Sequence, residues 1–287
     1  MSTLLLIDGH SQFYRALFAP GPRLTAPNGE PTHGVYFFVR MLLSVLRDRA
    51  PSHVAVAIDG KSADLVRRAL YPAYKANRHH GDDAAAQEMF AQINHMLALV
   101  RAFGLTIVRS RGWEADDVLA TLVRRFHAEV DFTEVVTRDH DLHQFVSDKR
   151  HVSLYDPQTR KLTRVADVRE EWGVGPKYVV EIKTLMGDSG DNVKGAKGVG
   201  PVKARDLILE YGTAANVKEN AARLSPALRS CILPFDVVLG KQLVGLNTEA
   251  PLEPEVGSLD ELRYVRPDMD AAQPLFDKLG FRRITGY

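Results

Sequence analysis

A single cysteine, Cys231, excludes an intrachain disulfide and a cysteine-built zinc site. Flanked by Ser230, Ile232 and Leu233, it is expected to be an ordinary buried residue. Long hydrophobic runs are missing as well. The longest, such as residues 54–58, reach about five residues, against the roughly 20 that span a bilayer. The apolar part of residues 1–8 is too short for a signal peptide, so cytoplasmic residence without a membrane partner is the expectation. Net charge is nearly absent: 37 lysines and arginines against 36 acids leave +1. No global basic field announces a polyanionic partner.

What is present is local. Residues 61–80 carry Lys61, Arg67, Arg68, Lys75 and Arg78 against one acid, Asp64. Residues 194–205 carry Lys194, Lys197, Lys203 and Arg205 and no acid. Positive patches on an otherwise neutral or acidic chain suit a protein that handles both phosphates and cations.

Apolar periodicity predicts buried strands over 4–7, 53–58, 105–108 and 133–137. It predicts helices over 35–47, 82–103 and 116–129 between them. This alternation argues for an α/β unit over residues 1–165 with a mostly parallel sheet flanked by helices. From about residue 166 to 287 the pattern becomes helical, with segments at 165–172, 176–186, 202–211, 226–244 and 270–279. A smaller all-helical C-terminal domain is expected there.

Three strand-like runs end in an aspartate: Asp8, Asp59 and Asp139, the last followed by His140-Asp141. The carboxyl ends of parallel strands form the ligand-binding edge of an open sheet. Glu114-Ala115-Asp116-Asp117 opens a helix after the third strand, and Gly187–Asn192 adds Asp188 and Asp191. Acids at a helix start also serve the helix dipole, and an acidic Gly-rich turn is often only a solvated loop. Together, however, nine carboxylates converge, and such crowding requires cations. All-oxygen ligation selects Mg²⁺ or Mn²⁺, and nine acids exceed the need of one ion. Two ions, roughly 3.5–4 Å apart, are expected.

These residues carry a resemblance. Leu6-Ile7-Asp8-Gly9-His10 with Tyr14-Arg15, Ile58-Asp59, Arg67 with residues 71–78, Glu114–Val118, Asp139–Leu142, and Met186-Gly187-Asp188 through Asp191-Asn192 to Gly195, Gly198 and Gly200 stand in one order. The chain resembles the 5′-nuclease domain of bacterial DNA polymerase I and its phage and bacterial relatives in the flap endonuclease superfamily. The resemblance implies a PIN-like fold with a helical arch near residues 67–100. It also implies a helix–turn–helix motif for nonspecific DNA binding in the second domain. It places Asp8, Asp59, Glu114, Asp116, Asp117, Asp139, Asp141, Asp188 and Asp191 at metal positions. Departures are His140, Lys194, Val202-Lys203 and Thr32-His33-Gly34 in place of the residues usual in the polymerase-linked group; none removes a carboxylate. With no polymerase segment in the sequence, a stand-alone nuclease is expected.

The reading that follows is a 5′–3′ exonuclease and flap endonuclease acting on DNA 5′ ends, flaps or junctions, with RNA primers on DNA as a related target. Asp8, Asp59, Glu114 and Asp116 are expected around one ion, and Asp139, Asp141, Asp188 and Asp191 around the other, with Asp117 acting through water. Lys75 would offset charge on the scissile phosphate, Arg78 would grip a neighbouring phosphate, and Tyr74 would stack on the terminal base. Arg67, Lys194, Lys197, Gly198, Gly200 and Lys203 would grip DNA without reading bases, with a potassium ion at the Gly-rich turn. A monomer is the default. A PIN-like ribonuclease and a catalytically decayed DNA-binding module are the rival readings. The histidines His79, His80, His140 and His143 could in principle bind a transition metal, but without further cysteines and beside so many carboxylates they are expected at the surface or behind the ligands.

Overall fold

The computed structural model describes residues 1–60, 65–77, 84–281 and 284. Strands β1 (Thr3–Asp8), β2 (His53–Ala57), β3 (Thr106–Val108), β4 (Phe132–Val136), β5 (Val152–Asp156) and β6 (Lys161–Thr163) form one sheet in the order β3-β2-β1-β4-β5-β6. The first five run parallel, and β6 returns antiparallel beside β5. Helices α1 (Gly9–Leu17), α2 (His33–Arg49), α3 (Val66–Leu70), α4 (Ala84–Ala102) and α5 (Ala115–Phe126) lie along this part of the chain.

The uninterrupted apolar strands follow from burial on both faces. Leu5, Ile7, Val54 and Val56 pack against Phe13, Phe38, Val39 and Met96 of α1, α2 and α4. Leu4, Leu6, Ala55 and Ala57 pack against Val118 and Leu122 of α5. Alternate residues of each strand thus face opposite helical layers, as the strand period of two requires.

The helical part holds α6 (Val165–Trp172), α7 (Val179–Met186), the ribbon β7 (Gly187–Asp188) with β8 (Val193–Lys194), α8 (Pro201–Tyr211), α9 (Ala214–Glu219), α10 (Pro226–Ile232) and α11 (Val237–Val244). Its core gathers Ile182, Leu185, Ala204, Leu207, Ile208 and Val217. The continuous helix expected over 226–244 is broken. Pro234 lacks an amide hydrogen and restricts Leu233, and Asp236 then caps α11 by accepting from Leu239 N at 3.0 Å. The short helix α10 leaves Cys231 half-buried rather than buried.

The helical unit is also smaller than the span 166–287. Helix α12 (Met269–Leu279) docks on the first unit, with Phe276 facing Phe103 and Phe281 facing Tyr36. Leu259 and Leu262 join the α5 layer, and Arg109 and Glu253 pair through their backbones. An amphipathic helix advertises an apolar stripe but not the surface that covers it. The β5–β6 hairpin and helix α1 were not expected either; both are short, and α1 starts within the Asp8-Gly9 turn itself. The expected arch near 67–100 falls partly on residues 78–83, outside the described residues. No helix among the described residues is long and apolar enough to cross a membrane.

Candidate metal centre

Strands β2, β1 and β4 are neighbours, so the acids that follow them share one edge. Asp8 ends β1 and caps α1: one carboxylate oxygen accepts from Ser11 N at 3.1 Å, the other from Thr137 Oγ1 at 2.8 Å. Asp59 follows β2, and its Oδ1 accepts from Ala115 N at 2.8 Å, tying this edge to the start of α5. Its own N–H donates to His10 Nδ1 at 3.0 Å. Asp139 follows β4; its N–H donates to Thr137 Oγ1 at 3.0 Å and its Oδ1 accepts from Asp141 N at 2.8 Å.

Electrostatics register how closely these groups converge. Burial pushes the Asp116 carboxyl well above its ordinary range, and Asp139, Asp8, Asp141 and Asp59 push it further, in that order. Burial likewise raises Asp8 to about 7, against the pull of Thr137 and Ser11, with Asp59 and Asp139 adding to the rise. Carboxylates in one another's field resist ionisation until a cation arrives.

A second group comes from β4's extension and the β7–β8 ribbon. Asp141, Asp188 and Asp191 each offer an oxygen within 4.8 Å of the others. The buried ammonium of Lys183 binds Asp141 and lies 2.7 Å from Asp188 Oδ2. Burial raises Asp141 to about 6 despite Lys183. At Asp188 burial is outweighed by Lys183 and by the amides of Asp191 and Gly190, so its carboxyl titrates below the usual range. The ribbon needs its glycines. A Cβ on Gly195 would stand 2.2 Å from the Met186 carbonyl carbon, and one on Gly187 2.3 Å from Gly195 N.

Lys183 was not among the expected residues. A lone cation inside the apolar stretch Ile182–Met186, five residues before Asp188, was the available signal.

Glu114 sits where the basic segment meets the acids. Burial would raise its carboxyl, but Lys75 beside it, the Tyr74 hydroxyl and Arg67 bring it below the usual range. Lys75 binds Glu114 and stands 3.5 Å from Asp191 Oδ2. The Tyr74 hydroxyl lies 2.6 Å from Glu114 Oε2 and 3.1 Å from Asp191 Oδ2. The two residues therefore bridge the two acidic groups.

Three expected roles are corrected here. Asp117 is fully buried, and its oxygens accept from Arg67 Nη1 and Nη2 at 2.6 and 2.7 Å, from Asn247 N at 2.8 Å and from Glu114 N at 3.2 Å. Four donors thus occupy the carboxylate that was expected to act through water. Arg67, 4% exposed, spends its guanidinium on Asp117, Glu114 and the Gly245 carbonyl, and so presents nothing to DNA. Tyr74, 2% exposed, has no free ring face for a base. Arg78, with His79 and His80, lies outside the described residues.

Lys194, Lys197, Gly198, Gly200 and Lys203 are exposed on the turn from the ribbon into α8, which packs on α7 in a helix–turn–helix arrangement. Lys203 Nζ donates to the Gly198 carbonyl at 3.1 Å, and Gly198 adopts φ of 75° over open space.

The donors fit divalent metal ions. Asp8, Asp59, Asp116, Asp139 and Asp141 offer only carboxylate oxygens, the set preferred by hard ions. The raised titration of Asp8, Asp116 and Asp141 marks crowded negative charge that cations relieve.

Comparison with known proteins agrees with this geometry. A family model described as the 5′-3′ exonuclease N-terminal resolvase-like domain matches residues 3–173. A second, the 5′-3′ exonuclease C-terminal SAM fold, matches residues 174–270. DNA polymerase I of Mycobacterium tuberculosis is 36% identical over 287 residues, 98% of this chain and 31% of that protein. DNA polymerase I of Rhizobium leguminosarum is 35% identical over 266 residues, 89% of this chain and 26% of that protein. The chain thus spans a quarter to a third of the length of these curated relatives. Among solved structures, the T5 5′-exonuclease with bound zinc shares the fold at a TM-score of 0.72 and 22% identity, covering 86% of this chain and 90% of that one. The catalytic core of Rad2 in complex with DNA substrate superposes at 0.60 and 19% identity, covering 96% and 87%.

Proposed function

The chain belongs to the 5′-3′ exonuclease family, and on that premise we propose that it hydrolyses phosphodiester bonds of DNA at 5′ ends, flaps and junctions as a structure-selective nuclease. The observation that carries the reading is the convergence of acids from β1, β2, β4, α5 and the β7–β8 ribbon on one edge, with Asp8 raised to about 7.

Asp8, Asp59, Glu114 and Asp116 would hold one divalent ion, and Asp139, Asp141, Asp188 and Asp191 a second, with Mg²⁺ preferred over Mn²⁺ in the cell. When bound, such ions activate a water for in-line attack and stabilise the departing 3′-oxygen. The protein's own part is positioning. Lys75, already between Glu114 and Asp191, would turn its ammonium to a phosphate oxygen, and Arg78 would grip the neighbouring one. Lys194, Lys197 and Lys203 would bind the duplex backbone, and carbonyls of the Gly198–Gly200 turn would share a potassium ion with a phosphate. Products would carry a 5′-phosphate and a 3′-hydroxyl. A monomer acting in the cytoplasm on replication and repair intermediates, RNA-primed ends included, completes the reading.

The test is a labelled 5′-flap duplex incubated with Mg²⁺ or with EDTA, beside single-stranded RNA. Mg²⁺-dependent cleavage near the flap junction is expected, with RNA spared. Asp116→Ala should abolish cleavage and keep DNA affinity within about threefold. An uncut flap in Mg²⁺, or full activity in that variant, overturns the proposal.

A further inference from the structure

A second cluster of metal-ligating side chains stands beside the acidic edge and takes no part in the reading above. The segment His140–Phe145 is a 3₁₀ helix. With three residues per turn, positions three apart eclipse. His140 and His143 therefore stack, with centroids 4.9 Å apart and planes inclined by 18°. Glu171 reaches across from α6: its Oε1 lies 2.6 Å from His140 Nδ1, and its Oε2 3.8 Å from His143 Nδ1. One ligand atom from each of the three residues lies within 4.8 Å of the other two. Trp172 Nε1–H donates to His143 Nδ1 at 3.0 Å, which orients that ring.

We propose that His140, His143 and Glu171 form a binding site for a borderline transition ion of the Zn²⁺, Co²⁺, Ni²⁺ or Cu²⁺ class, separate from the carboxylate cluster. Two imidazoles and one carboxylate form a three-residue donor set that leaves a coordination position to solvent. Ligands around such an ion at about 2.0–2.2 Å stand roughly 3.3–3.5 Å apart. The present spacings of 2.6 and 3.8 Å bracket that value. Nearly parallel rings do not aim at one point, so one ring must turn. His140 can, because its side chain is 62% exposed. His143, 6% exposed, stays fixed, and Trp172 gives up its acceptor when the ion takes Nδ1. Hard ions do not compete well for imidazole, so Mg²⁺ fills the acids and leaves this site open. The ion would pin the segment that carries Asp139 and Asp141 to α6.

The exchange at Trp172 supplies the readout. The sequence has two tryptophans, Trp113 and Trp172. In a Trp113→Phe background with excess Mg²⁺, Cu²⁺ or Ni²⁺ should quench Trp172 fluorescence saturably, at one ion per chain. His140→Ala and Glu171→Gln should each weaken that binding at least tenfold, while Asp188→Asn leaves it within twofold. His140 and Glu171 are exposed enough for both variants to fold, which circular dichroism checks. Equal quenching in His140→Ala, no saturable quenching at all, or dependence on Asp188 in place of His140 overturns the proposal.

Discussion

Replacement of Arg67 by alanine separates two accounts of the same residue. Read as a DNA contact, Arg67 should lower DNA affinity when removed, reduce the salt slope by about one and leave stability alone. The structure leads elsewhere. Asp117 is fully buried, and the guanidinium supplies two of its four donors. Removing one partner of a buried pair costs about 3–5 kcal/mol, because the remaining charge has neither water nor a counter-ion. For a chain of this size the melting temperature should fall by roughly 5–8 °C. Lysine should rescue little, since a point charge cannot reproduce the paired N–H fork. Glu114 loses its 3.2 Å contact with Arg67 in the same step, so cleavage should weaken while the dependence of DNA affinity on salt keeps its slope. Differential scanning fluorimetry and a salt titration of flap binding measure both. A variant with wild-type melting and a shallower salt slope would refute the structural account and restore Arg67 to the DNA interface.

Other consequences follow from the acids and the basic turn. Asp8 and Asp141 titrate near 7 and 6 in the folded chain, against 3.8 when exposed. Between about pH 4 and 7 the folded state thus keeps protons that the unfolded state has released, and stability falls as pH rises, by up to about 1.4 kcal/mol per pH unit for each group. In EDTA the protein should therefore melt lower at pH 7.5 than at pH 5, with Mg²⁺ or Asp8→Asn flattening the trend; a flat EDTA profile in the wild type contradicts the convergence. Lys183→Met leaves Asp141 and Asp188 facing each other without their shared ammonium, so the EDTA-treated variant should lose stability that Mn²⁺ restores more fully than in the wild type. Equal Mn²⁺-induced shifts in both proteins would remove Lys183 from the cluster. Lys197→Ala should weaken flap binding alike across sequences and lower the salt slope by about one, with unchanged melting; an unchanged slope places DNA elsewhere.

The amino-acid sequence by itself determined the parallel strands, their order along the chain and the acids at their carboxyl ends. That much is local: a strand buried on both faces must be apolar throughout, and the residue that leaves the sheet is free to be charged. Asp8, Asp59 and Asp139 were legible for the same reason, since each closes an apolar run. Which of the acids face an open centre was decided only by tertiary structure. Asp116 and Asp117 are adjacent, yet α5 turns one toward Asp139 and Asp8 and the other into the buried guanidinium of Arg67. Successive helical positions diverge by about 100°, and nothing local says which side meets the cluster. Lys183 joined the centre because α7 delivers it beside Asp141 from 42 residues away. Helix α12 left the helical unit for the first one because an apolar stripe records that it must be covered, not by what.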